Sequence, residues 1–217
     1  MSVVCITGTD TEVGKTLVTA ALGAALVERG RSVVAIKPVE SGVELGGVED
    51  GVVLAEATRQ EAPLQALTRL REPVAPPLAA DREGVELDPK YWTDFISHNS
   101  RSFEVTLVEG AGGLLSPLTW TDSLRDLAIT CEASAIIVAL DKLGTLNHTL
   151  MTLELLEAAG VRPLGVVLNR LGEDSSTGAN AAALKRVRPD LRVVQVPTVA
   201  SWREAVPHMT RVVEWIP

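Results

Sequence analysis

Residues Gly8–Thr16 read "GTDTEVGKT", and this stretch decides how the rest of the chain is read. A phosphate-binding loop ordinarily holds four residues between its first Gly and Gly-Lys-Ser/Thr. Here five intervene, Thr9 to Val13. Context decides whether the loop is real. Ser2–Thr7 before it is a short apolar run with strand character. Lys15–Arg29 after it places Leu17, Ala20, Ala21, Ala24 and Ala25 at helical spacing and is closed by Gly30. Strand, glycine-containing loop, helix is the setting that separates a phosphate loop from a chance match. Gly14 lets the backbone approach a phosphate, and successive amides at a helix start favour an anion. Lys15 reaches the β- and γ-phosphates, and the Thr16 hydroxyl suits Mg²⁺. The extra residue leaves Thr9–Glu12 as a lip facing any second substrate beside the γ-phosphate.

Working outward, apolar runs alternate with helical patterns. Strands are expected at Ser32–Val39, Val105–Val108, Ala135–Leu140, Leu164–Leu168 and Arg192–Val196. Helices are expected at Asp50–Arg59, Pro89–Ser100, from Asp122 or Ser123 to Cys131, at Leu146–Ala159 (stopped by Gly160) and at Ala179–Val187. Glu61–Gly84, with Pro63, Pro73, Pro76 and Pro77, reads mostly as loop. This alternation predicts a P-loop NTPase-like α/β three-layer sandwich with a mainly parallel sheet, one domain over residues 1–217. Ligands of such sheets bind at the carboxyl ends of strands. Those ends carry Gly8–Thr16, Lys37–Ser41, Glu109–Gly113, Asp141–Gly144, Asn169 and Pro197–Thr198.

Bulk properties bound the function. A chain of 217 residues in one domain buries roughly 70% of its unfolded surface. The net charge of −8 and the lack of a long basic run argue against nucleic-acid binding. Cys5 and Cys131 form no Cys-x-x-Cys and read as free thiols. The first apolar run is only a few residues long, with no basic segment before it, so neither signal peptide nor membrane helix is expected. The expectation is a cytoplasmic protein.

Two stretches sharpen the reading beyond "nucleotide". "AIKPVESG" places Lys37 and Ser41 at the end of the second strand. A lysine in an apolar run needs an anion or water for its ammonium, so Lys37 is either a strand-end ion pair or an anion contact. "LVEGAGG" places Glu109 at the end of a buried strand, as partner to a lysine or as part of a metal site shared with Thr16.

"TGTDTEVGKT", "KPVESG", "VEGAGGLLSPL" and "DKLGTLNHT" together resemble the dethiobiotin synthetase family, ATP-dependent enzymes that close the ureido ring in biotin synthesis. The resemblance runs over nearly the whole chain, and its loop has the same five-residue spacing. It implies ATP as co-substrate, Mg²⁺ as cofactor, and 7,8-diaminononanoate with CO₂ or bicarbonate as substrates. It implies Lys37 and Lys15 as catalytic residues and Thr16, Asp50 and Glu109 as the metal set. Implied nucleotide contacts run through Glu12, Val13, Gly14, Lys15, Thr16 and Leu17, then Asp50, Glu109, Gly110, Ala111 and Gly112. Asn169, Arg170, Pro197, Thr198, Val199 and Glu204 are implied on the adenine side. Thr11 and Ser41 are implied as substrate contacts. The family often carries a His where Pro77 stands here. The choice between Glu49 and Asp50 for the metal falls on Asp50, which opens a helix.

Gly144 and Thr145 are expected to offer free amides at a helix start, with Asn147 as a further donor. The resemblance implies that Gly144, Thr145, Leu146 and Asn147 hold the substrate carboxylate for the neighbouring subunit of a homodimer. One alternative is another P-loop ligase, including synthetases coupled to a glutaminase domain, for which 217 residues leave no room. The other is a partition- or iron-protein-like ATPase switch. Such switches carry an additional lysine early in the loop, and Gly8–Val13 has none.

Overall fold

The computed structural model describes residues 1–43 and 47–217. Residues 44–46, within the Val43–Val48 segment that precedes Asp50, lie outside the described residues. The main sheet is built from β1 (Ser2–Gly8), β2 (Val33–Ile36), β5 (Val105–Gly113), β6 (Ser134–Leu140), β7 (Pro163–Asn169) and β8 (Val193–Val196). Its spatial order is β2-β5-β1-β6-β7-β8, and every pairing is parallel. A second, two-stranded parallel sheet joins β3 (Val39–Ser41) to β4 (Thr68–Leu70).

Helices cover both faces, which is why the strands read as continuous apolar runs. On one face lie α1 (Lys15–Glu28), α2 (Asp50–Thr58) and the C-terminal turns α8 (Trp202–Ala205), a 3₁₀ segment (Val206–Met209) and α9 (Thr210–Val213). On the other lie α3 (Pro76–Glu83), α4 (Pro89–Asn99), α5 (Leu124–Thr130), α6 (Thr145–Ala158) and α7 (Asn180–Val187). The period of two in a strand divides neighbours between the layers. Val4 and Ile6 face α1, while Cys5 faces the α4–α6 side; Ile136 and Val138 part from Ala135, Ile137 and Ala139 in the same way.

Three expectations need correction. Ser32–Val39 is two strands, because Pro38 lacks the N–H a ladder needs and the chain leaves the main sheet after Ile36. Glu61–Gly84 is more than loop: it holds β4 and α3. Pro76 and Pro77 sit at the start of α3, where a missing N–H costs nothing, so here proline marks a helix start. The C-terminal turns were not expected at all. They are too short to show periodicity, yet Ala205, Met209 and Val212 are fully buried beside α1. In addition, β5 runs on through "EGAGG" to Gly113.

Candidate active site

The break between β2 and β3 creates the centre of the site. The carbonyls of Lys37 and Pro38 accept the N–H groups of Leu67 and Thr68, at 2.9 and 3.1 Å. Lys37 thereby stands at the carboxyl edge of the main sheet, beside the end of β5. Its Nζ donates to Glu109 Oε1 and to Asp50 Oδ2, both at 2.7 Å. Lys37 is 4% exposed and Glu109 0%. Burial alone would pull the Lys37 pKa down, but the carboxylates of Glu109 and Asp50 outweigh it and hold the ammonium well above its ordinary value. Burial likewise opposes ionisation of Asp50, and Lys37 reverses that, leaving its pKa below the usual carboxylate value.

The phosphate loop reaches the same point. Glu12 and Gly14 adopt left-handed backbone, φ 54° and 88°, which is how five intervening residues fold into a loop that still ends at a helix start. Lys15 is buried, and its Nζ donates to the carbonyl of Asp10 across the loop at 3.1 Å. Burial first, and the nearby Lys37 second, lower its pKa. The Thr16 hydroxyl donates to Glu109 Oε1 at 2.8 Å. Glu109 Oε1 therefore joins β5, α1 and the residue after β2, while its Oε2 is buried with no partner. Thr16, Asp50 and Glu109 are all oxygen donors, two of them carboxylates. Among the described residues no group of three or more His, Cys, Asp or Glu could hold a metal by itself. A hydroxyl and two carboxylates, with an orphaned oxygen to spare, fit Mg²⁺, which takes few protein ligands beside phosphate and water.

Glu49 goes elsewhere: it makes a two-pronged pair with Arg69 of β4, where Arg69 Nε lies 2.7 Å from Glu49 Oε2. Glu40, in β3, turns inward and accepts the N–H groups of Asp50 and Gly51. Ser41 ends β3, opposite Leu70. Thr11 is exposed on the lip, near Gly112, whose φ of 68° and close approach to Ser116 leave no room for a side chain.

Asn169 closes the loop from the other side. It is 0% exposed, its Nδ2 donates to Val13 O at 3.1 Å, and its Oδ1 has no partner. Arg170 leans on Asp141 at 3.7 Å. The carboxylate of Asp141, 2% exposed, accepts from Gly178 N–H (2.9 Å), Asn180 Nδ2 (2.8 Å) and Gln195 Nε2 (3.1 Å). Glu204 accepts the N–H of Ala200 at 3.0 Å and so braces the turn through Pro197, Thr198 and Val199.

At the start of α6, Gly144 has φ 92° and no side chain caps the helix. The expectation of a free Thr145 amide is corrected: that N–H donates to Lys142 O at 3.2 Å, because the turn before α6 closes on itself. Thr145 Oγ1, buried, has no partner. A cleft of about 50 Å³ lies between the lip (Thr9, Asp10, Thr11) and Lys142, Thr145 and His148.

A family model described as an AAA domain matches residues 2–207. The ATP-dependent dethiobiotin synthetase BioD of Anaeromyxobacter sp. is 40% identical over 202 residues, spanning 90% of this chain and 91% of its own. The chain belongs to the dethiobiotin synthetase family. Two further members bear this out. The synthetase of Rhodococcus erythropolis is 40% identical over 173 residues, covering 77% of this chain and 75% of its own. That of Rhodococcus jostii is 44% identical over 172 residues, covering 77% and 73%. As a member of the dethiobiotin synthetase family, the chain is an ATP-dependent ligase of biotin synthesis.

Solved structures of the cell-division ATPase MinD share the fold. That of Pyrococcus furiosus has a TM-score of 0.60 at 21% identity, covering 97% of this chain and 99% of its own. MinD of Pyrococcus horikoshii, complexed with Mg-ADP, has a TM-score of 0.59 at 23% identity, covering 100% and 86%. At such identity the likeness speaks for the fold alone. Sequence reasoning missed Arg69 in this dethiobiotin synthetase site, and it placed Glu40 and Asp141 at strand ends without giving either a role. Glu40 stood inside "KPVESG", and a carboxylate in a short apolar strand three residues after the site lysine Lys37 was a usable signal.

Proposed function

We propose that the chain carboxylates and cyclises 7,8-diaminononanoate with CO₂ and ATP, giving dethiobiotin, ADP and phosphate, within one ATP-binding domain over residues 1–217. The observation that carries this is the convergence of Lys37, Asp50, Glu109 and Thr16 beside the phosphate loop. A carbamate formed on one amine attacks the γ-phosphate. The second amine then attacks the resulting carbamic–phosphoric anhydride and closes the ring, releasing phosphate. Two anions must approach each other in the first step. Lys15 and Lys37 offset that charge, and more so as transfer proceeds. The opposite shifts of the two lysines fit a division of labour: the carboxylates of Glu109 and Asp50 hold Lys37 charged, while Lys15, lowered by burial and by Lys37, has its charged form favoured by a bound phosphate.

Thr16, Asp50 and Glu109 would hold Mg²⁺, which supplies charge neutralisation at the phosphates. In this reading Lys37 then trades its carboxylate partners for phosphate oxygen. Asn169 Oδ1, buried and unpartnered, suits the exocyclic amino group of adenine, with Arg170, Pro197–Val199 and Glu204 around the base. Glu12, Val13, Leu17, Gly110, Ala111 and Gly112 line the phosphates by backbone or close approach. Thr11 and Ser41 flank the diamine.

The substrate carboxylate is assigned to Gly144, Leu146 and Asn147, with the Thr145 hydroxyl, of the second subunit in a homodimer. Support comes from the exposed apolar residues Leu115, Trp120, Leu143, Met151 and Leu155. Asn147, Met151 and Leu155 recur every four residues on α6, as one face of a helix does. Among the described residues no helix is long and apolar enough to cross a membrane; a cytoplasmic setting belongs to this reading. A single-turnover assay with ATP, 7,8-diaminononanoate and bicarbonate tests it. Phosphate release should require the diamine and match bicarbonate fixed one for one. ATP hydrolysis independent of the diamine and driven by a protein or DNA partner would favour the switch reading instead.

A further inference from the structure

We propose that Glu40 is a positioning residue: it fixes the first turn of α2 so that Asp50 meets Lys37 and the metal. The inference rests on the assignment of Asp50 to the metal set. Glu40 is 8% exposed. Its Oε1 accepts the Asp50 N–H at 2.5 Å and its Oε2 the Gly51 N–H at 3.0 Å. These are N–H groups at a helix start, which have no partner within the helix. A carboxylate facing them also sits at the positive end of the helix dipole. The residue that precedes the helix would normally supply such a cap. Glu49 holds that place here, but its side chain makes no capping bond and is paired with Arg69. The cap comes instead from a residue on β3.

Two more contacts fix the same turn. Gly51 is seated directly on the loop that leads into β4: a Cβ there would lie 2.3 Å from Ala66 N and 2.6 Å from Gln65 C. Arg69 of β4 holds Glu49. Glu40 and Arg69 thus both belong to the small β3–β4 sheet, whereas Lys37 directly follows β2 and Glu109 lies within β5 of the main sheet. Asp50 is the member of the constellation whose place is set from the small sheet. Its side chain is 39% exposed, against 4% for Lys37 and 0% for Glu109, so packing confines it least. Metal ligation tolerates little displacement, since Mg²⁺ requires oxygens at about 2.0–2.1 Å in near-octahedral geometry. Without Glu40 the first turn of α2 has two uncapped amides, and the Asp50 carboxylate loses its fixed approach.

The test measures Mn²⁺ binding by electron paramagnetic resonance in the presence of ADP, for wild type, Glu40→Ala, Glu40→Gln and Asp50→Asn. Metal-free ADP binding and thermal unfolding are followed alongside. Glu40→Ala should weaken Mn²⁺ about 10-fold, the scale of losing a group that orients a metal ligand. It should leave metal-free ADP binding unchanged and speed hydrogen exchange at the amides of Asp50 and Gly51. Glu40→Gln should recover part of the affinity, because its carbonyl oxygen still accepts one N–H. Wild-type Mn²⁺ affinity in Glu40→Ala together with a loss in Asp50→Asn overturns the role of Glu40 while Asp50 stands. Equal losses of Mn²⁺ and metal-free ADP binding in Glu40→Ala overturn it as well, since they mark general disruption. Wild-type Mn²⁺ affinity in Asp50→Asn removes Asp50 from the metal set, and the inference falls with it.

Discussion

Lys37 Nζ stands 2.7 Å from Glu109 Oε1, and the two side chains are 4% and 0% exposed. A pair this deep has two consequences. Removing one member strands the other charge in the interior, which costs on the order of 3–5 kcal/mol. Removing Lys37 also takes a preorganised charge from the phosphates. Lys37→Ala should therefore still fold, with a melting temperature lower by roughly 6–20 °C, and turnover should fall by about 10²–10³. Calorimetry and steady-state assays check both; near wild-type turnover would remove Lys37 from the chemistry.

The same pair sets an alkaline limit. Burial opposes the Lys37 charge, but Glu109 and Asp50 raise its folded pKa above the unfolded value. A raised pKa gives stability that is fully present below the unfolded value, about 10.4 for Lys, and that is lost as pH rises through the folded value. The stability gap between wild type and Lys37→Met should accordingly stay level from pH 6 to about pH 9.5. Denaturant titrations across that range measure it, and a gap that closes by pH 9 would contradict the pairing.

Lys15 behaves in the opposite sense. Its folded pKa is lowered by burial and by Lys37, and a bound phosphate favours its charged form. Nucleotide binding should then take up protons in the alkaline range below the ordinary value of about 10.4, and take up fewer near pH 7. Isothermal titration in buffers of different ionisation enthalpy reads this directly. Lys15→Ala should abolish the alkaline uptake; uptake that survives the substitution points to another group.

Gly14 and Asn169 occupy each other's space. A Cβ on Gly14 would lie 2.0 Å from Asn169 Nδ2, and its φ is 88°. Gly14→Ala should weaken nucleotide binding beyond detection and, through backbone strain, destabilise the fold by about 1–3 kcal/mol. Pairing it with Asn169→Ala relieves the contact but leaves the strain, so the double variant should regain only part of that stability. Full recovery would show that φ at Gly14 matters little.

Asp141 is a buried acceptor for three donors from two elements and a loop. Asp141→Ala leaves those donors short of partners, at roughly 1–3 kcal/mol for a buried polar group. Hydrogen exchange should quicken at Gly178 and in the segment leading to Asn180, with the phosphate loop unchanged. Loosening spread evenly over the sheet would argue against a local clasp.

The proposed shared-site homodimer makes a separate prediction. Lys37→Ala and Asn147→Ala protomers should each be weak alone, and mixing them should restore activity through heterodimers carrying one undamaged site. Sedimentation of the active protein as a monomer would end this reading.

Much of this protein was legible in the sequence because its signals are local. Gly8–Thr16 between an apolar run and a helical pattern fixed the phosphate loop, since a tight turn and a helix start depend on residues adjacent in the chain. Alternating apolar runs fixed a parallel sheet under two helical layers, since strands buried on both faces must be apolar throughout. The family motifs singled out Lys37, Asp50 and Glu109, though not how they touch. What only the tertiary structure decided is non-local: that Pro38 turns the chain into a second sheet, that prolines at 76 and 77 open a helix, and that Glu109 Oε1 receives both Lys37 and Thr16 from 72 and 93 residues away. Glu49 and Asp50 are neighbours with the same chemistry, and the sequence separates them only by the expected helix start at Asp50. Arg69, on the small sheet, takes one, and Lys37, at the edge of the main sheet, takes the other, and both pairings are contacts between residues distant in the chain.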